Sequence, residues 1–228
     1  MIIILGGSSS LAKELLPLMA KKDKILCLYN NNKPFFKNKR IGLLKINLEN
    51  LKTKSLLIDK LFRIKPKEKI VLVNFASIKI DKLSLFISEK EIKRIFDINF
   101  FSFLKFIKAL LPKMIENKWG RIISISSTGG LRGDKGTVLY TSSKHAVRGM
   151  IKSMSKEYGK YNITFNTLKL GNFNYGLFKK LPKSKQKKLL AAVPSNKTGN
   201  VINILNAINF LINSDYVNNS EINIDGGM

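Results

Sequence analysis

Tyr140 and Lys144 stand four residues apart in the stretch Tyr140-Thr-Ser-Ser-Lys144. On a helix, that spacing puts both side chains on one face. A phenol titrates near ~10 in water, and a neighbouring ammonium favours its phenolate. A tyrosine paired in this way can give or take a proton near neutral pH. The same spacing also arises by chance in ordinary amphipathic helices, so the neighbours matter. Ser127 lies thirteen residues before Tyr140, at the end of an apolar run, and Asn99 falls inside a long helical pattern. A second constellation is Gly6-Gly7-Ser8-Ser9-Ser10, which breaks an apolar run and opens a helical one. Glycine permits a tight turn with close approach to the backbone. The N–H groups of a helix start favour an anion such as a phosphate. Taken alone, such a turn is more often only a turn.

The elements that must position these residues alternate. Apolar runs at Ile2–Leu5, Ile25–Tyr29, Ile41–Asn47, Ile70–Val73, Arg121–Ser126, Ile163–Leu170 and Glu221–Ile224 read as strands. Helical patterns lie at 11–19, 51–64, 89–117, 140–158 and 201–212. Pro17 is expected to kink or shorten the first helix, and Pro112 to bend the long one near its end. The Lys-rich stretch 171–195 reads as an irregular insertion. This alternation predicts an α/β fold, a doubly wound parallel sheet of about seven strands with helices on both faces. Ligands bind such sheets beyond the carboxyl ends of the strands. Four segments fall there: 6–12, 74–77, 126–133 and 171–175.

Composition narrows the class. The chain has 228 residues, expected as one domain, and 44% of them are hydrophobic, so a full core is possible and wholesale disorder is excluded. No run is long enough to span a bilayer, and the apolar start is too short for a signal peptide. The single cysteine, Cys27, cannot form an internal disulfide and suits a reducing, cytoplasmic setting. Lys and Arg number 41 against 15 Asp and Glu, a net charge of +26, and all but six of the basic residues are lysine. The lysines are spread along the whole chain, as on a solvated surface of biased composition. Phosphate readers lean on arginine, so specific nucleic-acid binding is not expected. No His, Cys or carboxylate cluster has the spacing of a metal site.

Six segments, in order and at matching separations, carry a resemblance. LVNFASI (72–78) resembles the strand-end motif LVNNAGI. INFFSFLKFIKALLPKM (98–114), GRIISISSTGG (120–130), YTSSKHAVRGM (140–150), EYGKYNITFNTLKLG (157–171) and INIDGG (222–227) match the segments that follow it. Together they resemble the single-domain, Rossmann-fold type of the short-chain dehydrogenase/reductase family, from Ile2 to Gly227. The resemblance implies a catalytic set of Asn99, Ser127, Tyr140 and Lys144. Tyr140 would protonate the substrate oxygen as hydride arrives from a nicotinamide. Lys144 would lower the Tyr140 pKa and hydrogen-bond the nicotinamide ribose, Ser127 would polarise the carbonyl, and Asn99 would hold a water linking Lys144 to solvent. The implied cofactor contacts are Gly6, Ser8, Ser9, Ser10, Leu11, Asn30, Lys33, Asn47, Leu48, Asn74, Ala76, Tyr140, Lys144, Gly171 and Phe173. The implied substrate contacts are Ser127, Thr128, Tyr140, Gly171, Tyr175 and Phe178, with residues 172–195 as a lid.

Departures cluster at the cofactor loop, where the family reads TGxxxGxG and only Gly6 is kept. Ser10 and Ala12 replace glycines, and Ser10 is expected to be strained by about 1 kcal/mol if its φ must be positive. Phe75 replaces an asparagine, Ser77 a glycine, Leu170 a proline, Tyr175 a threonine and Asn47 an aspartate. Beyond the second strand the chain reads Tyr29-Asn30-Asn31-Asn32-Lys33, with no acid to bind a ribose 2′-OH. Lys33, with Lys37, could meet a 2′-phosphate, which favours NADP(H) over NAD(H). The expected function is an NAD(P)(H)-dependent oxidoreductase acting on a small-molecule or carrier-linked ketone or secondary alcohol. The nearest analogy is the 3-oxoacyl carrier-protein reductases, with nucleotide-sugar or polysaccharide reductases as another branch. The eroded glycine loop keeps open a non-catalytic binding protein on the same fold. A homodimer or homotetramer is expected through the helices that carry Asn99 and Tyr140. His145 and Trp119 are expected to be structural.

Overall fold

The computed structural model describes residues 1–49, 51, 65, 67–175, 178–179 and 181–228. Seven parallel strands form one sheet in the order β3-β2-β1-β4-β5-β6-β7. They are β1 (Ile2–Leu5), β2 (Ile25–Tyr29), β3 (Ile41–Lys45), β4 (Ile70–Asn74), β5 (Gly120–Ser127), β6 (Ile163–Leu170) and β7 (Glu221–Ile224). Every residue of β1 and of β4 is buried. That explains their unbroken apolar runs: a central parallel strand is covered on both faces. Each buried Ile, Leu or Val contributes roughly 1.5–3 kcal/mol.

The helices divide between the two faces. On one lie α1 (Ser10–Met19) and the last helix, Val201–Asn213, whose Leu15, Leu16, Ile204, Ile208 and Leu211 are buried against Ile4, Val71 and Leu168. On the other face Phe103, Phe106, Val147, Ile151 and Phe165 fill the core with Ile3 and Leu72. The helix expected over 51–64 lies outside the described residues.

The long helix expected over 89–117 is two helices, α2 (Glu89–Phe96) and α3 (Ser102–Glu116), joined by a π-helical segment, Asp97–Phe101. The break has a physical cause. Asn99 turns its amide out of the helix to bond elsewhere, and the Ser102 N–H reaches back to the Asp97 carbonyl. Pro112 is carried inside α3, which continues to Glu116. Pro17 sits two residues from the end of α1, as a proline that shortens a helix should.

After β5 come α4 (Val138–Tyr158), α5 (Lys183–Ala191) and α6 (Val201–Asn213). The stretch 171–195, read as irregular, thus contains a helix built, apart from Ser184, from Lys, Gln, Leu and Ala, all good helix formers. None of its residues is buried, so no apolar stripe advertised it. No helix among the described residues is long and apolar enough to cross a membrane.

At the amino end of the sheet, Trp119 lies beneath the Arg121 guanidinium, 4.4 Å from its ring centre, with Lys69 at 5.3 Å. Arg121 is buried and gives its N–H groups to the carbonyls of Gly120, Asn162 and Ile212. Trp119 is structural, as expected. His145 is too: its Nδ1 lies 3.0 Å from the Thr141 carbonyl of its own helix. Cys27 is a core residue whose thiol burial pushes up to about 11, which leaves it inert near neutral pH.

Gly6 has φ +78°, and a Cβ there would stand 2.5 Å from the Ala76 nitrogen. Gly6→Ala should therefore lower the unfolding free energy by about 1–3 kcal/mol. Gly42→Ala, whose added methyl would find its nearest neighbour at 3.7 Å, should change it by no more than ~0.5 kcal/mol. Denaturant midpoints that moved equally for the two would contradict this account of the turn.

Candidate active site

The turn after β1 closes against the end of β4. The Phe75 N–H donates to the Leu5 carbonyl at 2.9 Å, and Gly6 takes the left-handed conformation that lets the chain pass Ala76. Gly7 follows because a Cβ there would fall 2.1 Å from the Cys27 sulfur. Ser9 is the N-cap of α1: its side chain accepts from the Ala12 N–H at 3.1 Å. Ser10 is the first residue of α1 and has no positive φ, so the expected strain is absent. The lost glycine costs nothing here because the serine sits in helical backbone. As the first two residues of the helix, Ser10 and Leu11 have N–H groups without intrahelical partners, the arrangement that attracts an anion. Ser8 gives its hydroxyl to the Asn32 carbonyl at 2.8 Å, tying this turn to the segment after β2.

A crevice of about 280 Å³ opens here, beyond the carboxyl ends of β1 to β4. Gly6, Ser8, Ser9, Asn30, Leu48 and Ala76, which the resemblance implies as cofactor contacts, are among the residues that line it. Phe75, Ser77, Ile78 and Ile98 line it as well; Phe75 and Ser77 belong to the segment 74–77 expected at the strand ends, and Ile78 and Ile98 do not. Their signal was available for the first three, which follow Asn74 directly at a strand end. Ile98 is brought in by the π-helical break, which no local pattern announces. The other expected cofactor residues are not among those that line it. Asn74 is buried and accepts from the Ala76 N–H at 3.0 Å. Asn47 is exposed and accepts from the Glu49 N–H, so it shapes a turn. Lys33 and Lys37 are exposed. Gly171 packs on the closing turn, where a Cβ would meet Asp225 at 2.6 Å.

Tyr140 is half-buried in the first turn of α4. Its ring packs on Gly130, where a Cβ would stand 2.8 Å from the ring edge. Burial pushes its phenol above the ordinary tyrosine value; a hydrogen bond with the Ser77 side chain acts the other way, and the Asp81 carboxylate adds to the rise. Lys144 is 8% exposed, and burial lowers its pKa to about 8. Its ammonium donates to the Ile125 carbonyl at 3.2 Å and lies 5.5 Å from the centre of the Tyr140 ring. The expected lowering of the Tyr140 pKa by Lys144 is therefore not what this geometry gives: the ammonium sits over the ring face, and desolvation wins.

Ser127 is the last residue of β5, half-buried, paired in register with Leu170. Thr128 donates its N–H to the Leu170 carbonyl at 3.0 Å, joining the ends of β5 and β6. Asn99 is 2% exposed. Its Oδ1 accepts from the Ile78 N–H at 2.8 Å, and its Nδ2 donates to the Ile78 carbonyl and the Ser143 hydroxyl, both at 2.9 Å. Both N–H groups of its amide are thus used on protein, and its side chain frames the site. Phe173 and Phe178 are buried and Tyr175 half-buried, at the base of the lid segment.

A dinucleotide fits these residues. The apolar slot of Leu28, Ile46 and Leu48 suits a flat base, Asn30 in the same lining offers polar groups to a ribose, and the α1 start supplies donors for a pyrophosphate. Sheet and crevice together define an α/β protein of the Rossmann class. The model of the family described as short chain dehydrogenase matches residues 1–186, and the chain belongs to that family. It is 32% identical over 160 residues to the 3-oxoacyl-[acyl-carrier-protein] reductase FabG of Buchnera aphidicola subsp. Schizaphis graminum, covering 69% of this chain and 66% of that one. It is 31% identical over 184 residues to the protein of that name from Rickettsia felis, covering 80% and 74%. The matched stretch thus spans just under two thirds of the first of these relatives. Among solved structures, 4-hydroxyisoleucine dehydrogenase complexed with NADH superposes with a TM-score of 0.85 at 25% identity, covering 99% of this chain and 97% of that one. ElxO with NADP bound gives 0.84 at 22% identity, covering 99% and 96%, which is a likeness of fold.

The buried ammonium has a consequence for stability. The folded pKa of Lys144 lies near 8, below the ordinary 10.5. The unfolded chain therefore holds a proton that the folded one releases, and this contribution favours folding increasingly as pH rises through that window. The unfolding free energy of the wild type minus that of Lys144→Met should rise by about 2–3 kcal/mol between pH 8 and 10.5. Urea titrations at several pH values read it, and a flat difference would show that Lys144 is not desolvated.

Proposed function

We propose that the protein is a nicotinamide-dependent oxidoreductase that reduces a carbonyl to a secondary alcohol, with Tyr140 as the acid. The observation that carries this reading is the pairing of Tyr140 with Lys144, whose ammonium lies 5.5 Å from the centre of a phenol ring that burial keeps protonated, in a chain whose crevice beyond the strand ends suits a dinucleotide. An acid must hold its proton until the transition state, which suits reduction better than oxidation. The curated relatives named above are reductases, in keeping with that direction.

A bound nicotinamide supplies hydride. The remaining work falls to this chain. Tyr140 delivers the proton to the substrate oxygen. Ser127, at the end of β5, donates to the same oxygen and polarises it. Lys144 holds positive charge behind the phenol ring, where it offsets the phenolate left after proton transfer. Asn99 keeps Ile78 and α4 in place. Phe173, Tyr175 and Phe178 form the apolar wall of the substrate site, and the 172–195 lid excludes water from it.

Several features support finer points of the reading. NADP(H) is favoured over NAD(H): no acid lies between Tyr29 and Lys33, and Ser8 holds the Asn32 carbonyl, keeping that segment beside the phosphate turn. A carrier-linked 3-oxoacyl substrate fits the lysines of α5, Lys183, Lys185, Lys187 and Lys188, within the lid stretch and without an acid among them. The exposed Phe101 and Phe86 near α3 suit a homodimer or homotetramer. The chain is expected to work as one domain, in the cytoplasm.

The test is turnover of a 3-oxoacyl thioester, followed by loss of NADPH absorbance. Tyr140→Phe should cut kcat by ~10²–10⁴ while NADPH still binds, and Ser127→Ala should lower it in the same direction. A Tyr140→Phe protein with wild-type turnover would overturn the assignment.

A further inference from the structure

The sheet face beneath α4 changes character along its strands. Ile122 and Phe165 pair in register and are buried with Val147 and Ile151 of α4, an apolar rung. Alternate residues of a strand share a face, so the next rungs on that face are Ser124 with Thr167 and Ser126 with Lys169. The first of these is polar across four strands. Asn74 of β4 pairs with Ser124, Ser124 with Thr167, and Thr167 with Glu221 of β7. Asn74, Ser124, Ser126 and Thr167 are all buried, none more than 8% exposed. Hydroxyls at core positions forgo apolar packing, and a buried water commonly satisfies them.

Between this rung and α4 lies a cavity of about 10 Å³, room for one water molecule. Ser124, Ser126 and Thr167 line it from the sheet, and Lys144, Val147 and Arg148 line it from α4. Glu221 completes the lining from the edge strand, where it pairs with Arg148 and, at 3.5 Å, with Lys169. The Lys144 ammonium donates to the carbonyl of Ile125, the residue between Ser124 and Ser126. The buried cation is thus held against the strand segment that carries two of the hydroxyls.

We infer that this polar rung is the path by which the buried Lys144 ammonium exchanges protons with solvent, through a water held by the hydroxyls of Ser124, Ser126 and Thr167 and out at the Glu221 edge. The link that the family resemblance implies runs by Asn99 on the π-helical segment; this one crosses β5, β6 and β7. Its use in catalysis rests on the reaction proposed above. There Tyr140 gives one proton to the substrate oxygen in each turnover and regains one before the next. The rung returns that proton from solvent to the Lys144–Tyr140 pair. Each hydroxyl on the way accepts one proton and passes on another, and no electrons move along it.

The titratable and charged groups around Lys144 are Tyr140, whose ring centre lies 5.5 Å from the ammonium, Arg148 one turn further along α4, and Glu221 with its partner Lys169. All of them remain in the variants below, so they cancel in the comparison.

The experiment is nuclear magnetic resonance of the ligand-free protein with nitrogen-labelled lysine, at about pH 6, where the Lys144 ammonium holds its proton. The signal lost in Lys144→Met assigns it, and its rate of exchange with water is then read. Thr167→Val and Ser126→Ala should each slow that exchange by roughly tenfold or more, because the water loses its partners. Thr164→Val, on the same strand but the other face, removes a buried hydroxyl without a partner and should leave the rate unchanged. Melting temperatures establish that the variants fold. A loosened structure speeds exchange, so the direction separates a lost path from a disturbed fold. Exchange that neither Thr167→Val nor Ser126→Ala slows overturns the inference, whatever the protein's activity. Slowed exchange in a protein that reduces no carbonyl upholds the path and overturns the proposed reaction instead. With NADPH and a 3-oxoacyl thioester, the slowed variants should complete the first turnover at the wild-type rate and lag in later ones. Later turnovers as fast as the wild type's would overturn the path's part in catalysis.

Discussion

The buried amide of Asn99 is the joint on which the site depends. It is a long way in sequence from the two segments it binds, Ile78 and Ser143, and it satisfies polar groups of both. Buried backbone groups without partners are costly, so the Ile78 loop has no comparable alternative position. Asn99 is the third residue of the π-helical segment, so the change in helix geometry and this side chain's bonds fall at the same place. Helix regularity is given up locally, and a fixed geometry between the end of β4 and the start of α4 results.

Burial is the second constraint, and it acts on the two ionisable groups in opposite directions. It raises the Tyr140 phenol and lowers the Lys144 ammonium to about 8, so their ordinary order is reversed and the ammonium gives up its proton before the phenol does. A proton donor that holds its proton and a cation that stays close behind it are compatible only because the ammonium has the Ile125 carbonyl as a ligand. Removing that ligand or opening the ring face to water would loosen both conditions at once.

Much of this was legible in the sequence, for reasons that differ by element. The central strands were plain because each is covered on both faces and must be apolar throughout, as in Ile70–Asn74. The helix over Val138–Tyr158 and its Tyr140–Lys144 pair followed from a spacing of four. The interruption at Asp97–Phe101 was not visible as a pattern, since its cause is a hydrogen bond to residues more than twenty positions away. The helix Lys183–Ala191 was missed because it buries nothing and so has no apolar stripe. Ser10 was expected to suffer where glycine is usual, but it sits inside the helix start, where no glycine is needed. The position of the Lys144 ammonium over the ring, away from the phenol oxygen, is a rotamer and packing outcome that spacing does not encode.

Trp119 is the only tryptophan of the chain, and it lies under Arg121 at the amino end of β5, while the crevice opens beyond the carboxyl ends of the strands. The eight residues of β5 separate the two ends by roughly 25 Å. The indole's emission is therefore a reporter of whether that end of the sheet is intact, insensitive to direct contact with anything in the crevice. A reduced nicotinamide bound at the other end could dim it only by resonance energy transfer along the sheet, so one fluorophore yields two separable signals: its own spectrum for unfolding, and sensitised emission from the ligand for occupancy.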